Sequence, residues 1–198
     1  MIKSIDMSRL DEALGLLSER LRLDGAAPQE IVICGGSSLI ARGYVSRATR
    51  DVDVLAWRLR GQARFISSRP LSETLVVASK RVAADLGLPA NWFNDGPADL
   101  FEMGLPAGFE DRLTSRHYGS HLIGWFIDRI DQIHFKLYAA ADQGPGQHVD
   151  DLLALKPTAH ELLAASRWAF THDVSPGFRS IVRDMLKQLG HEEITKDL

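Results

Sequence analysis

A short apolar run that ends at two glycines constrains the fold of this chain more than any other feature. Residues 31–34 are mostly β-branched and predict a buried strand, and Gly35 and Gly36 predict a tight turn directly after it. A short helix is expected to leave this turn, with Ser37 and Ser38 among its first residues. Glycines let a phosphate approach the main chain, a helix start offers free N–H groups, and serines add hydroxyl donors. The pattern therefore predicts an anion-binding turn.

Two aspartates follow this turn at the start of the next predicted strand, residues 51–57. Thirteen residues separate Ser37 from Asp51, and Asp53 follows two positions later. Residues i and i+2 of a strand point to the same side, so the two carboxylates are expected about 6–7 Å apart along the strand. Proteins bind magnesium through one or two carboxylates together with water and substrate phosphate. The aspartates are therefore candidate metal ligands, and the adjacent Arg50 is a candidate phosphate ligand.

The rest of the chain is predicted to combine a few strands with many helices. Apolar residues recur at helical spacing, between capping residues, glycines or prolines, at 8–23, 71–86, 132–142, 148–155, 158–171 and 176–189. Ser8 and Asp131 are the expected N-caps of the first and third of these helices. Short strands are expected at 100–103 and 120–127. The predicted fold class is α+β, an α/β two-layer core in which helices flank a small mixed sheet, with a helical C-terminal lobe.

Two domains are expected from this distribution of strands and helices. The α/β core is predicted to occupy residues 1–130, and the helical lobe, packed on the core, residues 131–198. A substrate cleft is expected where the two meet.

Composition places the chain among ordinary globular proteins. Its 198 residues are 45% hydrophobic and 25% charged, which excludes collagen-like and disordered chains. The single cysteine excludes an internal disulfide and a cysteine-rich zinc site. No apolar run approaches the ~20 residues that span a bilayer, and the first residues lack the apolar stretch of a signal peptide. A cytoplasmic protein without a membrane partner is expected.

Charge is unevenly distributed along the chain. The formal net charge is −3, which argues against binding of duplex DNA by bulk attraction. Residues 41–70 nevertheless contain seven arginines and only two acids, Asp51 and Asp53. A local basic field around two aspartates suits a phosphate-bearing substrate. The alternative is a solvated surface whose arginines have no specific role.

The Gly-Gly-Ser turn, the spacer and the Asp-x-Asp pair together resemble the signature of the nucleotidyltransferase superfamily. That superfamily includes polymerase beta, aminoglycoside nucleotidyltransferases and antitoxin-like minimal nucleotidyltransferases. Residues 133–155 are also similar to motifs of its abortive-infection toxin branch, in which a helix carries Lys-x-x-Ala and an Asp-Leu pair follows. Lys136 and Asp151 occupy these two motif positions. Residues 92–95 are similar to an uncharacterised sub-branch of these proteins. Together, these motifs extend the resemblance over most of residues 30–172.

The resemblance implies a nucleotidyltransferase core that binds a nucleoside triphosphate with Mg²⁺ or Mn²⁺. It implies that Asp51 and Asp53 are catalytic and hold the metal. Lys136 would then pair with the triphosphate, and Asp151 would orient this lysine or act as general base. The alternatives are a surface lysine on an amphipathic helix and an exposed helix acid. The implied nucleotide-binding residues are Gly35, Gly36, Ser37, Ser38 and Arg50.

Two departures from the family pattern concern the number of acids. Gln147 and His148 stand where relatives often carry an arginine and an acid between the lysine and the last aspartate. The predicted strand 120–127 lacks the third metal-binding carboxylate that usually lies on a later strand. The nearest candidates for that carboxylate are Asp99, Glu102 and Asp128.

Two further pairs of polar residues are weaker candidates. His117 and His121 have the i, i+4 spacing of metal ligands, but no third ligand is near in sequence, so structural or surface histidines are the favoured interpretation. Asn94 and Asp95 either line the cleft or form a turn through a side-chain hydrogen bond.

The resemblance implies transfer of a nucleoside monophosphate to an acceptor hydroxyl, with release of pyrophosphate. RNA such as tRNA, a protein or a small molecule would be the acceptor. A toxin–antitoxin or phage-defence role, with a cognate antitoxin as partner, follows from the toxin-like branch. One alternative is a catalytically degenerate fold that binds nucleotide or a partner protein as a regulator. Another is a metal-dependent hydrolase that uses the same two aspartates and water.

Overall fold

The computed structural model describes residues 4–198 of the protein. The chain divides into two compact units, the first ending at Asp128 and the second running from Arg129 to Leu198. This division lies close to the boundary predicted after residue 130. The first unit contains a mixed sheet with helices and the second is helical, so the α+β class is confirmed.

The elements of the first unit alternate between helices and short strands. In chain order they are α1 (Met7–Leu23), β1 (Gln29–Cys34), α2 (Gly35–Ala41), β2 (Val52–Leu59), β3 (Ile66–Ser67), α3 (Glu73–Leu86), β4 (Phe93–Asn94), α4 (Ala98–Met103), a 3₁₀ turn (Glu110–Arg112), β5 (Thr114–His117) and β6 (Leu122–Phe126). The strands form one six-stranded sheet in the order β3-β2-β1-β6-β5, with β4 on the outer side of β2.

The centre of this sheet is β1, which has β2 on one side and β6 on the other. It pairs antiparallel with β2 and parallel with β6. All six residues of β1 are buried, as expected for a central strand. β4 adds to β2 in parallel, and pairs only with its first two residues. The carboxyl end of β1, the start of β2 and the whole of β4 therefore meet at one place in the sheet.

Apolar residues of α1 and α3 cover one face of the sheet. The leucine stripe predicted for the first helix is confirmed, because Leu10, Leu14, Leu17 and Leu21 are all buried. These leucines join Ile31 and other sheet residues in one continuous hydrophobic core. Burial of each such side chain contributes about 1.5–3 kcal/mol, so this core holds β1 and the turn that follows it in place.

The second unit consists of four helices and a terminal 3₁₀ segment within its described residues. They are α5 (Arg129–Gln143), α6 (Gly146–Ala154), α7 (Ala159–His172), α8 (Pro176–Gln188) and the 3₁₀ segment Glu192–Asp197. Thr158 caps α7 in a reciprocal capping box with Glu161, and Ser175 caps α8 with Pro176 in the first turn. The helices predicted over the last third of the chain are thus confirmed.

Three local predictions were wrong. Residues 100–103 lie in α4 rather than in a strand, and Leu100, Glu102 and Met103 are all strong helix formers. Asp6, not Ser8, is the N-cap of α1, since its carboxylate accepts a hydrogen bond from the Arg9 amide at 2.9 Å. Asp131 is not a cap, because α5 begins two residues earlier at Arg129.

Among the described residues, no helix has both the length and the apolar character needed to cross a membrane.

Candidate functional site

The glycine turn and the aspartate pair lie against each other in the structure. β1 ends at Cys34, and the antiparallel register places Cys34 directly opposite Asp53 of β2. Gly35 has a φ of +63°, in the left-handed region that favours glycine. A Cβ atom at Gly35 would lie 2.2 Å from Oδ2 of Asp53. Any side chain at this position would therefore displace the carboxylate, so glycine is required here by both conformation and space.

The other aspartate of the pair is held by a buried threonine. Asp51 lies just before β2, and its Oδ1 accepts a hydrogen bond from Oγ1 of Thr49 at 3.2 Å. The Thr49 main chain is fixed by two hydrogen bonds to Ile5, of 2.7 and 2.9 Å. A Cβ atom at Gly36 would lie 2.8 Å from the Thr49 hydroxyl, so the second glycine also allows a close approach. Sequence reasoning missed Thr49, whose role depends on this tertiary contact.

An asparagine side chain contacts Asp53 from the opposite side. β4 places Asn94 in register with Asp53, and Nδ2 of Asn94 donates a hydrogen bond to Oδ1 of Asp53 at 3.1 Å. Asn94 was a weak candidate in the sequence because nothing there indicated a strand beside β2. The turn predicted as one alternative for Asn94 is confirmed, since its Oδ1 accepts a hydrogen bond from the Gly96 amide at 2.8 Å. The other alternative, that Asn94 lines a cleft, stays a prediction.

The two serines after the glycines are buried and use their hydroxyl groups internally. Ser37 Oγ donates to the Cys34 carbonyl at 3.2 Å, and Ser38 Oγ donates to the Ile127 carbonyl at 3.4 Å. Neither side chain is exposed to solvent. Through these hydrogen bonds the serines stabilise the turn and connect the start of α2 to the sheet. Their predicted role as hydroxyl donors to a phosphate stays a prediction.

The two aspartates fit a magnesium ion that is shared with a phosphate. Both are partly exposed, and each has one oxygen fixed by a neutral donor, Thr49 or Asn94. Within residues 4–198, no group of three His, Cys, Asp or Glu side chains is arranged to hold a metal ion. Magnesium needs only one or two carboxylates when substrate phosphates and water complete its shell. This donor set therefore suits a Mg²⁺ ion whose remaining ligands are water or phosphate oxygens.

The candidates for a third carboxylate do not join the pair. Asp99 forms an ion pair with Arg69, and Asp128 forms one with Arg42 at 3.1 Å. Glu102 is exposed on α4. The histidine pair is not a metal site either, since His117 is exposed and Nδ1 of His121 lies 2.8 Å from Oγ of Ser120.

Several arginines of the basic segment have structural partners. Beside the pairs of Arg42 and Arg69, Arg58 binds Glu30 at 2.8 Å, and Arg60 donates to the Ser120 carbonyl at 3.0 Å. The basic field predicted for residues 41–70 is therefore partly neutralised within the fold. Arg50 is exposed and adjacent to Asp51 in the chain, and its role as a phosphate ligand stays a prediction.

Lys136 and Asp151 form a buried ion pair inside the second unit. Nζ of Lys136 lies 2.8 Å from Oδ2 of Asp151, and the two side chains are 9% and 2% exposed. Lys136 lies on α5 and Asp151 on α6, so the pair links two helices. The alternatives of a surface lysine and an exposed helix acid were wrong. Orientation of the lysine by the aspartate has the contact that it requires, while the catalytic roles stay predictions.

No protein-family model, curated protein or solved structure matched this chain. The functional interpretation therefore rests on the residues and their geometry. Gly35, Gly36, Asp51 and Asp53 lie together in the first unit, and Lys136 pairs with Asp151 in the second.

Proposed function

We propose that the protein is a nucleotidyltransferase-fold enzyme that binds a nucleoside triphosphate with Mg²⁺ or Mn²⁺. One observation carries this proposal, namely the close approach of Gly35 to the Asp53 carboxylate. A long spacer separates the glycine turn from Asp53 in the sequence. The sequence predicts phosphate binding for the turn and metal binding for Asp53, and the two lie in contact where β1 pairs with β2. Gly35 is required both by its φ of +63° and by the Asp53 carboxylate beside it, and the second requirement links the predicted anion-binding turn to a predicted metal ligand.

Different residues of the chain would bind the cation and orient the carboxylates. Asp51 and Asp53 would hold the cation together with a phosphate, and the lack of a side chain at Gly35 would let the Asp53 carboxylate lie against the turn. The bound cation supplies positive charge that stabilises the phosphate oxygens during transfer. Thr49 would keep the Asp51 carboxylate in place by a neutral hydrogen bond, which leaves the negative charge of that carboxylate available to the cation.

The reaction we propose is transfer of a nucleoside monophosphate. An acceptor oxygen forms a bond to the α-phosphorus, the bond from that phosphorus to the pyrophosphate oxygen breaks, and the acceptor proton is released to water. The acceptor hydroxyl would belong to RNA such as tRNA, to a protein or to a small molecule. A toxin–antitoxin or defence role, with a cognate antitoxin as partner, is part of the proposal through the resemblance of Lys136 and Asp151 to the toxin-like branch.

Label transfer tests this proposal. Purified protein is incubated with each α-labelled nucleoside triphosphate, Mg²⁺ or Mn²⁺, and separate fractions of total RNA and total protein. We expect label in one macromolecular fraction, absent with Asp51→Asn and Asp53→Asn. Asp111→Asn, at an exposed acid of the same unit, is the matched control and should transfer normally. Transfer that survives in the two site variants would overturn the assignment, and label released as free nucleoside monophosphate would indicate a hydrolase.

A second candidate function is a regulator that binds nucleotide or a partner protein without catalysis. It is favoured by the absence, within residues 4–198, of a third metal-ligating side chain beside the aspartates. Metal-dependent nucleotide binding that is lost in Asp51→Asn, with no release of pyrophosphate under any acceptor condition, would support this candidate over the enzyme.

A further inference from the structure

The position of Asn94 beside Asp53 is set by a firmly anchored strand. Trp92, immediately before β4, is fully buried, and its Nε1 donates to the Ser79 carbonyl of α3 at 2.9 Å. The Val52 amide donates to the Trp92 carbonyl at 2.5 Å, which ties the start of β4 to the start of β2. Asn94 thus reaches Asp53 from a rigid part of the sheet, although β4 itself has only two residues.

The amide group of Asn94 is held at both of its ends. Nδ2 donates to Oδ1 of Asp53, and Oδ1 accepts from the Gly96 amide. A Cβ atom at Gly96 would lie 2.9 Å from Oδ1 of Asn94, so any larger residue would push the amide away. Since the Gly96 N–H must face the amide oxygen, the amide N–H must face the carboxylate.

Arg69 fixes the loop that provides the Gly96 amide. Its Nη2 donates to the carbonyls of Asp95 and Gly96 at 3.0 and 3.1 Å, and its Nη1 pairs with the Asp99 carboxylate on α4. A continuous set of hydrogen bonds therefore runs from Arg69 through Gly96 and Asn94 to Asp53.

We propose that Asn94 is a positioning residue for Asp53, which fixes the carboxylate in the orientation that binds a divalent cation. This inference rests on the proposed function. Asn94 is neutral, so it orients Asp53 without competing for the cation, and with Oδ1 held, Oδ2 remains on the side of Gly35. A carboxylate that is fixed in advance loses less freedom when it binds a ligand, so removal of Asn94 should weaken cation binding.

The test measures Mn²⁺ binding to the full chain without nucleotide, by the decrease in the free Mn²⁺ electron paramagnetic resonance signal. Loss of a hydrogen-bond partner of a metal ligand weakens metal binding by about 10–100-fold. We therefore expect at least a tenfold rise in the Mn²⁺ dissociation constant for Asn94→Ala. Gly96→Ala should raise it in the same direction, because it acts on the Asn94 amide without touching Asp53. Asn91→Ala, at an exposed asparagine of the preceding turn, is the matched control and should bind as the wild type does.

The possible results distinguish failure of this inference from failure of the proposed function. Wild-type Mn²⁺ affinity in both Asn94→Ala and Gly96→Ala, with loss of binding in Asp53→Asn, would overturn the role of Asn94 and leave the proposed site intact. Absence of Mn²⁺ binding and of label transfer in the wild type would overturn both. Thermal unfolding checks each variant, and if Asn94→Ala does not fold, Gly96→Ala decides the question.

Discussion

At Gly35, the backbone and the candidate site impose the same requirement on a single residue. A φ of +63° disfavours any residue with a side chain, and a Cβ atom there would collide with Asp53. Gly43 offers a matched comparison, because it has a φ of +74° but no atom within 4 Å of its hypothetical Cβ. Substitution of the two glycines therefore distinguishes the free-energy cost of the backbone conformation from that of the contact with Asp53.

For Gly43→Ala we expect a loss of about 1 kcal/mol in the free energy of unfolding, from the backbone conformation alone. Gly35→Ala should lose at least about 2 kcal/mol, because displacement of the carboxylate adds to the same backbone term. Only Gly35→Ala should also weaken Mn²⁺ binding. Urea unfolding and Mn²⁺ titration check both variants, and equal effects of the two would show that the contact with Asp53 has no consequence.

The buried pair Lys136–Asp151 is expected to be sensitive to loss of one partner. Removal of one member leaves an uncompensated buried charge, which costs about 3–5 kcal/mol, whereas an apolar pair of similar volume is often tolerated. We expect Lys136→Met and Asp151→Leu each to destabilise the protein by that amount, and the double variant to be more stable than either. Urea unfolding measures all three.

An exposed ion pair in the same unit is the control for these variants. Lys187 and Asp184 lie 3.0 Å apart on α8, and their side chains are about half exposed. Lys187→Ala should change the free energy of unfolding by no more than about 1 kcal/mol. A similar small effect for Lys136→Met would contradict a structural role for the buried pair.

The sequence around a residue indicated some members of the candidate site and not others. Asp51 and Asp53 were selected as candidate metal ligands because their spacing and the preceding glycines are local signals. Thr49 and Asn94 were not, because each contacts its carboxylate through the register of the strands, which a single sequence does not reveal. Burial of Lys136 was missed because the helical pattern placed it beside the apolar face of α5.

At the scale of elements, long helices were easier to predict than short strands. Helices α1, α3, α5, α7 and α8 follow from apolar periodicity and caps over several turns. β4 has two residues, and two residues carry no periodic pattern. Its pairing with β2 depends on the burial of Trp92 rather than on any local preference.

The start of α7 provides a test of stability against pH. The Arg129 guanidinium, followed by hydrogen bonds from Thr158, lowers the pKa of the Glu161 carboxyl from its ordinary 4.5 to about 2. A carboxyl whose pKa is lower in the folded state stabilises the fold above its ordinary pKa. That contribution decreases as the pH falls from about 4.5 towards about 2.

We therefore expect Glu161→Gln to destabilise the protein more at about pH 7 than at about pH 3, as measured by urea unfolding. Asp142→Asn, at an exposed carboxylate near the end of α5, is the control, and its effect should not grow over the same range. A Glu161→Gln effect that is independent of pH would contradict the contribution of the Arg129 contact.

At the scale of the whole molecule, the α+β class and the helical C-terminal region followed from the order of helical and strand-like segments. The order of strands in the sheet did not follow, because it depends on contacts between distant segments. The proposed metal and nucleotide site is one cluster in the first unit, so a direct view of that cluster with bound ligands tests the central claim.

The measurement is anomalous diffraction from crystals of the protein grown with Mn²⁺ and an α,β-methylene nucleoside triphosphate, which resists transfer. We expect one or more anomalous peaks with Asp51 and Asp53 as ligands, and a phosphate of the analogue beside Gly35 and Gly36. Nucleotide and metal bound elsewhere on the protein, or neither bound at millimolar concentration, would contradict the proposed site.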